Sequence, residues 1–444
     1  MPKVIIVGGG CFGLSTAYAL SLKSEYEVWV FDRQSIPSPD AASTDINKIM
    51  RFDYGDDITY MHLMMEALPY WHQYNKERAE QGESPVFHET GVLMMSRHGE
   101  YSDFEKKSLR NIRQAGYGHC IEELDGEAII KRYPQFKTAV HHGFNIAYLN
   151  KAGGWCNSAE AVKHMHQKCL QQGVRFVIGG DQGTLSSLYC PNNNKTEGIV
   201  TMDGKIHKAD KVVLATGSWT PGVVEMENQI IATGQAVIQF KPYGDLRDQF
   251  DQNCPVWCAD LSKTGFYGFP INADGKMKIG IHNSGYLWPR KHDNVSIPRT
   301  QVAFECDTIP LSALREFRRF LANFIPGTSC MDIAYSRLCW YCDSIDGDFL
   351  ISQHPKYSNL IIAAGDSGHG MKFLPNIGFQ VRNVIEDIST DYTRKWAWRN
   401  MDVANTKLDG LRQGSAVNRG ILLGHDENMR FASPDELTAA TAHL

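Results

Sequence analysis

Six residues near the N-terminus limit what this chain can fold into: Gly8-Gly9-Gly10-Cys11-Phe12-Gly13, a GxGxxG turn. Before it runs Val4-Ile5-Ile6-Val7, with the unbroken apolarity of a strand buried on both faces. After it, Leu14, Ala17, Tyr18 and Leu22 recur at helical spacing over 12–22, and 27–31 (Glu-Val-Trp-Val-Phe) predict a second strand. This is a βαβ unit. Gly8, Gly10 and Gly13 permit the tight turn and let backbone N–H groups approach a pyrophosphate at the helix N-terminus. Asp32 ends the second strand, where an acidic side chain can bind ribose hydroxyls and would repel the 2′-phosphate of NADP. The turn alone does not separate FAD from NAD, so an NAD-dependent dehydrogenase remains an alternative at this point.

Along the rest of the chain, 56–80 predict a helix whose buried face carries Met61, Leu63, Met64, Leu68 and Trp71. Strand signals fall at 174–178, 211–215, 234–240, 264–270, 276–282 and 359–364, with a helix at about 375–388. Alternating α/β signals at the start, middle and end are separated by antiparallel-looking stretches. The expected architecture is α/β: a Rossmann-like dinucleotide-binding domain built from discontinuous segments 1–85, 151–222 and 333–400. An inserted α+β substrate domain with a mainly antiparallel sheet would come from 86–150 and 223–332. Residues 401–444 read as a C-terminal extension.

Charge and composition exclude several partners. With 45 Lys+Arg against 50 Asp+Glu, a net charge of -5 provides no basic excess for nucleic acid. No window approaches the roughly 18 consecutive apolar residues of a membrane span, and no secretory signal is evident. The 11 cysteines, odd in number and scattered, suit a reducing compartment. Cys254/Cys258 and Cys339/Cys342 lie in strand-like, aromatic-rich segments without knuckle turns, so no metal is expected. These features predict a soluble intracellular protein.

Two later glycine turns narrow the reading: Val212-Val213-Leu214-Ala215-Thr216-Gly217, and Ala363-Ala364-Gly365-Asp366-Ser367-Gly368-His369-Gly370-Met371-Lys372-Phe373. Three more motifs accompany them in order: Ala41 to Arg51 (AASTDINKIMR), Lys278-Ile-Gly-Ile-His282, and Cys339-Trp340-Tyr341. On these motifs the chain resembles the FAD-dependent amine oxidases of the D-amino-acid oxidase superfamily. More narrowly, it is similar to the monomeric sarcosine oxidase and fructosyl amino acid oxidase (amadoriase) group, which includes fungal pipecolate and saccharopine oxidases. The resemblance covers most of residues 3–400.

The resemblance implies FAD as cofactor, attached through a thioether at Cys339, with Cys342 as competitor. It implies that Lys278 stands near flavin N5 to activate oxygen, and that Arg51 and Lys372 hold the substrate carboxylate. Lys48 would lie beside the flavin, Tyr267 and His282 would line the substrate pocket, and Gly217, Gly368, His369 and Gly370 would approach the cofactor. Without the resemblance, Cys339 reads as a core cysteine, Lys278 as a solvated strand lysine like Lys276, and Arg51 and Lys372 as surface charges.

The reaction implied is hydride transfer from the C–H beside a secondary amine to flavin N5. The imine is hydrolysed and O2 is reduced to hydrogen peroxide. Amadoriases carry a Glu in the segment matching His282 that helps hold the sugar hydroxyls, and generally lack an arginine matching Arg51. Both departures favour an N-methyl, cyclic or N-alkyl amino acid, with fructosyl amino acids as the alternative. By analogy the protein is expected to be a monomer. Ala442-His443-Leu444 is similar to a peroxisomal Ser-Lys-Leu address, and a cytoplasmic location is the expectation otherwise.

Overall fold

The computed structural model describes residues 1–192, 194–329, 331–400, 421–424 and 427–439. The C-terminal tripeptide and most of the extension lie outside the described residues.

The apolar run forms β1 (Lys3–Val7), the helical spacing forms α1 (Cys11–Ser21), and the second run forms β2 (Glu27–Asp32). β1 lies centrally in a six-stranded sheet, parallel to β2 on one side and to Lys211–Leu214 on the other. Arg175–Ile178 extends the sheet beyond β2, and Leu360–Ala364 extends it beyond 211–214. Leu350–Gln353 closes that edge antiparallel. Because β1 is covered on both faces, Val4, Ile5 and Ile6 have no exposed surface, as its unbroken apolarity requires. α1 is also buried nearly all round, since Ile377–Ile385 packs against it: a Cβ on Gly378 would come within 1.9 Å of Ser15 O. Leu22, placed within the helix by its spacing, falls just past the helix end and is exposed.

A ten-stranded sheet forms the second layer system, antiparallel except where Val256–Ala259 runs parallel to Val92–Ser96 and Tyr286–Leu287 parallel to Ile421–Leu422. A short β3 (Lys48–Met50) pairs with Gly154–Cys156 in a small three-stranded sheet. α2 (Ile58–Glu80) buries Met61, Leu63, Met64, Leu68 and Trp71 as one face. Asp57 caps it, accepting the N–H groups of Thr59 and Tyr60.

One boundary differs from the sequence expectation. The strand Tyr335–Ser344, assigned to the third dinucleotide-binding segment beginning at 333, pairs over ten residues with Ile230–Phe240 in the larger sheet. Its apolar pattern suits either sheet, and only the long-range pairing decides between them. The chain crosses to the parallel sheet after residue 344.

Candidate active site

A cleft runs across the C-terminal ends of β1 and β2, the general place for a ligand on an open parallel sheet. Gly8 has φ +107°, and a Cβ there would meet Ala215 O at 2.4 Å; a Cβ on Gly13 would meet Gly8 O at 1.8 Å. Only glycine fits at either position. Gly10 begins α1 with no side-chain cap, so the first helical N–H groups face the cleft unclaimed by side chains. Asp32 accepts from Gly9 N (2.7 Å) and Gln34 N (2.9 Å), which fixes its carboxylate at one end of the cleft. Burial raises its pKa above the ordinary aspartate range. At the far end the walls are Lys48, Tyr341, Gly368 and Gly370, with Gly217 along one side. A Cβ on Gly368, at φ +76°, would strike the Tyr341 ring at 2.2 Å. An elongated groove with an acid at one end, an uncapped helix start in the middle and glycine-bared backbone beyond fits an extended dinucleotide.

Cys339 and Cys342 are three apart on one strand and therefore face opposite sides. Cys339 Sγ lies 3.5 Å from Lys48 Nζ, and Tyr341, on the same face, lines the cleft. Cys342 turns into the core beside Ile5, Val7 and Leu214, and burial pushes its thiol well above the usual range. Burial also acts against the charge of Lys48, but Cys339 and Asp45 outweigh it and hold the ammonium above the usual lysine range.

Lys278 is not solvated; it is 1% exposed, whereas Lys276 is half-buried. Its Nζ donates to Asp45 Oδ2 (2.8 Å) and Asn47 O (2.6 Å). Burial pulls the ammonium down to about 8 despite Asp45. Tyr267 lies buried in the next strand, hydrogen-bonded to Tyr341, with its hydroxyl pushed up to about 12 by burial. His282 directly follows the Lys278 strand, its ring 6.0 Å from that of Tyr341.

Two segments that wall the cleft continue into a second place. Three residues after Lys48 stands Arg51, and two after Gly370 stands Lys372. Arg51 Cζ is 5.4 Å and Lys372 Nζ 5.2 Å from the centre of the Tyr54 ring. Lys372 Nζ donates to Tyr54 Oη (2.9 Å) and His369 O (3.0 Å), both neutral. Arg51 Nη1 is buried without a hydrogen-bond partner. Among the described residues, no carboxylate lies within ion-pair distance of either. Burial, then Arg51, depresses the Lys372 ammonium well below its ordinary range. The carboxylates of Asp53 and Glu105 act on them only from beyond that distance, and two adjacent cations without an ion pair in a buried place call for an anion.

The backbone and the ring of His369 lie in different places. Its backbone lies between the two glycines, but its ring leaves the cleft for an aromatic cluster with Tyr60 and Phe349. There Nδ1 meets Tyr54 Oη at 3.2 Å and Nε2 meets Gly347 O at 3.0 Å. Its link to the site is the support of Tyr54. Sequence reasoning assigned no role to Asp45, Tyr54, Arg337 or Asp366. Asp366 lines the cleft with its carboxyl raised to about 6 by burial and by Asp343.

The family model for the DAO group, FAD dependent oxidoreductase, matches residues 3–382. The chain belongs to this family. It is 30% identical to L-saccharopine oxidase of Schizosaccharomyces pombe over 430 residues, 90% of this chain and 94% of that one. With monomeric sarcosine oxidase of a Bacillus strain, identity is 26% over 377 residues, 84% of this chain and 90% of that one. Among solved structures, a thermally stable mutant of fructosyl peptide oxidase superposes with a TM-score of 0.83 at 28% identity, over 97% of this chain and 99% of that one. The protein is an FAD-dependent oxidoreductase of mixed α/β fold, and the groove fits FAD. Gly8, Gly10, Gly13, Asp32 and Gly217 would hold the dinucleotide, and Lys48, Tyr341, Gly368 and Gly370 would surround the flavin end.

Proposed function

We propose that the protein is an oxidase of amino acids carrying a secondary amine, of the N-methyl, cyclic or N-alkyl kind. The carrying observation is the pair Arg51 and Lys372, two cations without an ion-pair partner among the described residues, on the two segments that wall the flavin end of the groove. An amino-acid carboxylate supplies the missing anion. Arg51 offers it a planar fork and Lys372 a point charge. FAD, when bound, would supply the redox chemistry: acceptance of a hydride from the carbon beside the amine, and reoxidation by oxygen.

This chain's own residues orient and protect. Arg51, Lys372 and Tyr54 fix the carboxylate, and so the reacting carbon, relative to the flavin. Tyr267 and Tyr341 supply a buried aromatic wall that excludes water. The Lys278 ammonium, held by Asp45 and Asn47 O, presents fixed positive charge where reducing oxygen develops negative charge. Cys339, beside Lys48 and on the face that carries Tyr341 into the groove, is the residue for a thioether to the flavin.

A second reading, oxidation of fructosyl amino acids, is favoured by the structural likeness to fructosyl peptide oxidase. The segment of His282 favours the first, since amadoriases carry in the matching segment a glutamate for sugar hydroxyls and this chain has Lys-Ile-Gly-Ile-His there. Oxygen consumption with peroxide release on sarcosine, pipecolate or saccharopine, exceeding that on fructosyl-valine, supports the first reading. Turnover of the fructosyl compounds alone overturns it.

A further inference from the structure

One carboxylate oxygen organises the flavin end of the site. Asp45 Oδ2 lies 2.8 Å from Lys278 Nζ, 3.1 Å from Lys48 Nζ and 3.5 Å from Arg337 Nη2. Its other oxygen accepts the N–H of Ile46 at 2.8 Å. The backbone of Asp45 is held as firmly. Its N–H donates to Ser158 Oγ (3.1 Å), and its carbonyl accepts from Ser158 Oγ (3.0 Å) and Ala159 N (3.2 Å) at the start of the helix Ser158–Gln171. The three cations come from different elements: β3, the strand Met277–Ile281 and the strand Tyr335–Ser344.

We infer that Asp45 is a positioning residue that keeps Lys278 charged and fixed where oxygen is reduced, while drawing Lys48 to the edge occupied by Cys339. The proposal rests on the oxidase reading for the role of Lys278. The groups facing Lys278 are Asp45 from the loop before β3, Lys48 from β3, Cys339 from its strand, Cys156 from the strand beside β3, and the ring of Phe269 at 4.7 Å. Asp45 is the one carboxylate among them. Lys48 works in the opposite sense, since its charge disfavours that of Lys278. Without Asp45, a buried lysine beside another cation would lose its proton at lower pH. With Lys48 neutralised, it would keep its proton to higher pH.

The test uses the full-length, flavin-loaded protein and two readouts. In the first, protein carrying ε-carbon-labelled lysine is titrated by NMR, with the Lys278 resonance assigned by its loss in Lys278→Met. Asp45→Asn is expected to lower the Lys278 midpoint by about one pH unit or more, and Lys48→Met to raise it. In the second, the flavin is reduced with dithionite, without any amine, and its reoxidation by oxygen is followed against pH. The falling limb is expected to move in the same direction as the resonance in each variant. An unmoved resonance in Asp45→Asn, or a moved resonance with an unmoved reoxidation profile, overturns the proposal. Should Asp45→Asn fail to accumulate as folded protein, the rise or its absence in Lys48→Met decides. Equal reoxidation rates in Lys278→Met and wild type would contradict the oxygen role itself, an outcome separate from the coupling to Asp45.

Discussion

Cys339 Sγ lies 3.5 Å from Lys48 Nζ, on the face of its strand that carries Tyr341 into the dinucleotide groove. Cys342, on the opposite face, is packed into the core with its thiol held protonated by burial. The two cysteines therefore differ in what they can attack. Cys339→Ser is expected to release its flavin on acid precipitation, while Cys342→Ser keeps a yellow pellet. The absorbance of the supernatant distinguishes them, and a yellow pellet from Cys339→Ser would place the linkage elsewhere.

Arg51 and Lys372 should act on the substrate carboxylate and on little else. Arg51→Ala or Lys372→Met is expected to raise KM for the amino acid by between about tenfold and a hundredfold, the worth of one charge-assisted hydrogen bond. The corresponding amine without its carboxyl group should be oxidised poorly by wild type and be nearly indifferent to the same variants. Steady-state kinetics on the pair of compounds separates lost anion binding from general damage.

Oxygen reactivity should follow the protonation of Lys278. Burial lowers this ammonium to about 8, so the charged form is complete well below that pH and is lost as pH rises through it. Reoxidation of reduced enzyme should fall over the same interval. Lys278→Met should slow reoxidation by about 10²-fold, the typical cost of one lost stabilising donor, while affecting reduction by substrate far less. Stopped-flow traces of the two half-reactions check both statements.

Glu105, close enough to Arg51 to feel its charge, offers a stability prediction. It is buried on the helix Asp103–Ile112, hydrogen-bonded by Ser102, and burial followed by the charge of Asp260 raises its carboxyl to about 7. A carboxyl raised in the folded state holds its proton while the unfolded chain has lost it. Stability therefore falls as pH rises from the ordinary glutamate range to about 7, then levels. Glu105→Gln, which removes the ionisation, should stabilise the protein at pH 8 by about 2 kcal/mol and much less at pH 5. Urea unfolding at the two pH values measures the difference.

The parallel sheet was legible because its signals are local. β1, the glycine turn, α1 and Asp32 follow within thirty-two residues, and each is dictated by its own stretch of sequence. The strand Tyr335–Ser344 was legible as a strand but not as a member of the larger sheet, since its partner lies about a hundred residues earlier. The site divides in the same way. Gly8, Gly13 and Gly368 declare themselves through backbone conformation and close approach, whereas Lys278 looks like Lys276 until burial separates them. Asp45 had no local signal at all, because its meaning comes from three cations that the fold brings from three elements. For His369, sequence position located the backbone near the groove, but the ring follows an aromatic cluster assembled from distant residues.

The most direct test of the function is anaerobic bleaching of the flavin absorbance against a panel of amines. The panel holds sarcosine, other N-methyl amino acids, pipecolate, proline, saccharopine, fructosyl-valine and fructosyl-lysine. The site geometry predicts rapid bleaching by at least one secondary-amine amino acid without a sugar, abolished or much slowed in Arg51→Ala. Bleaching by the fructosyl compounds alone, or a flavin that no amine reduces, would contradict it.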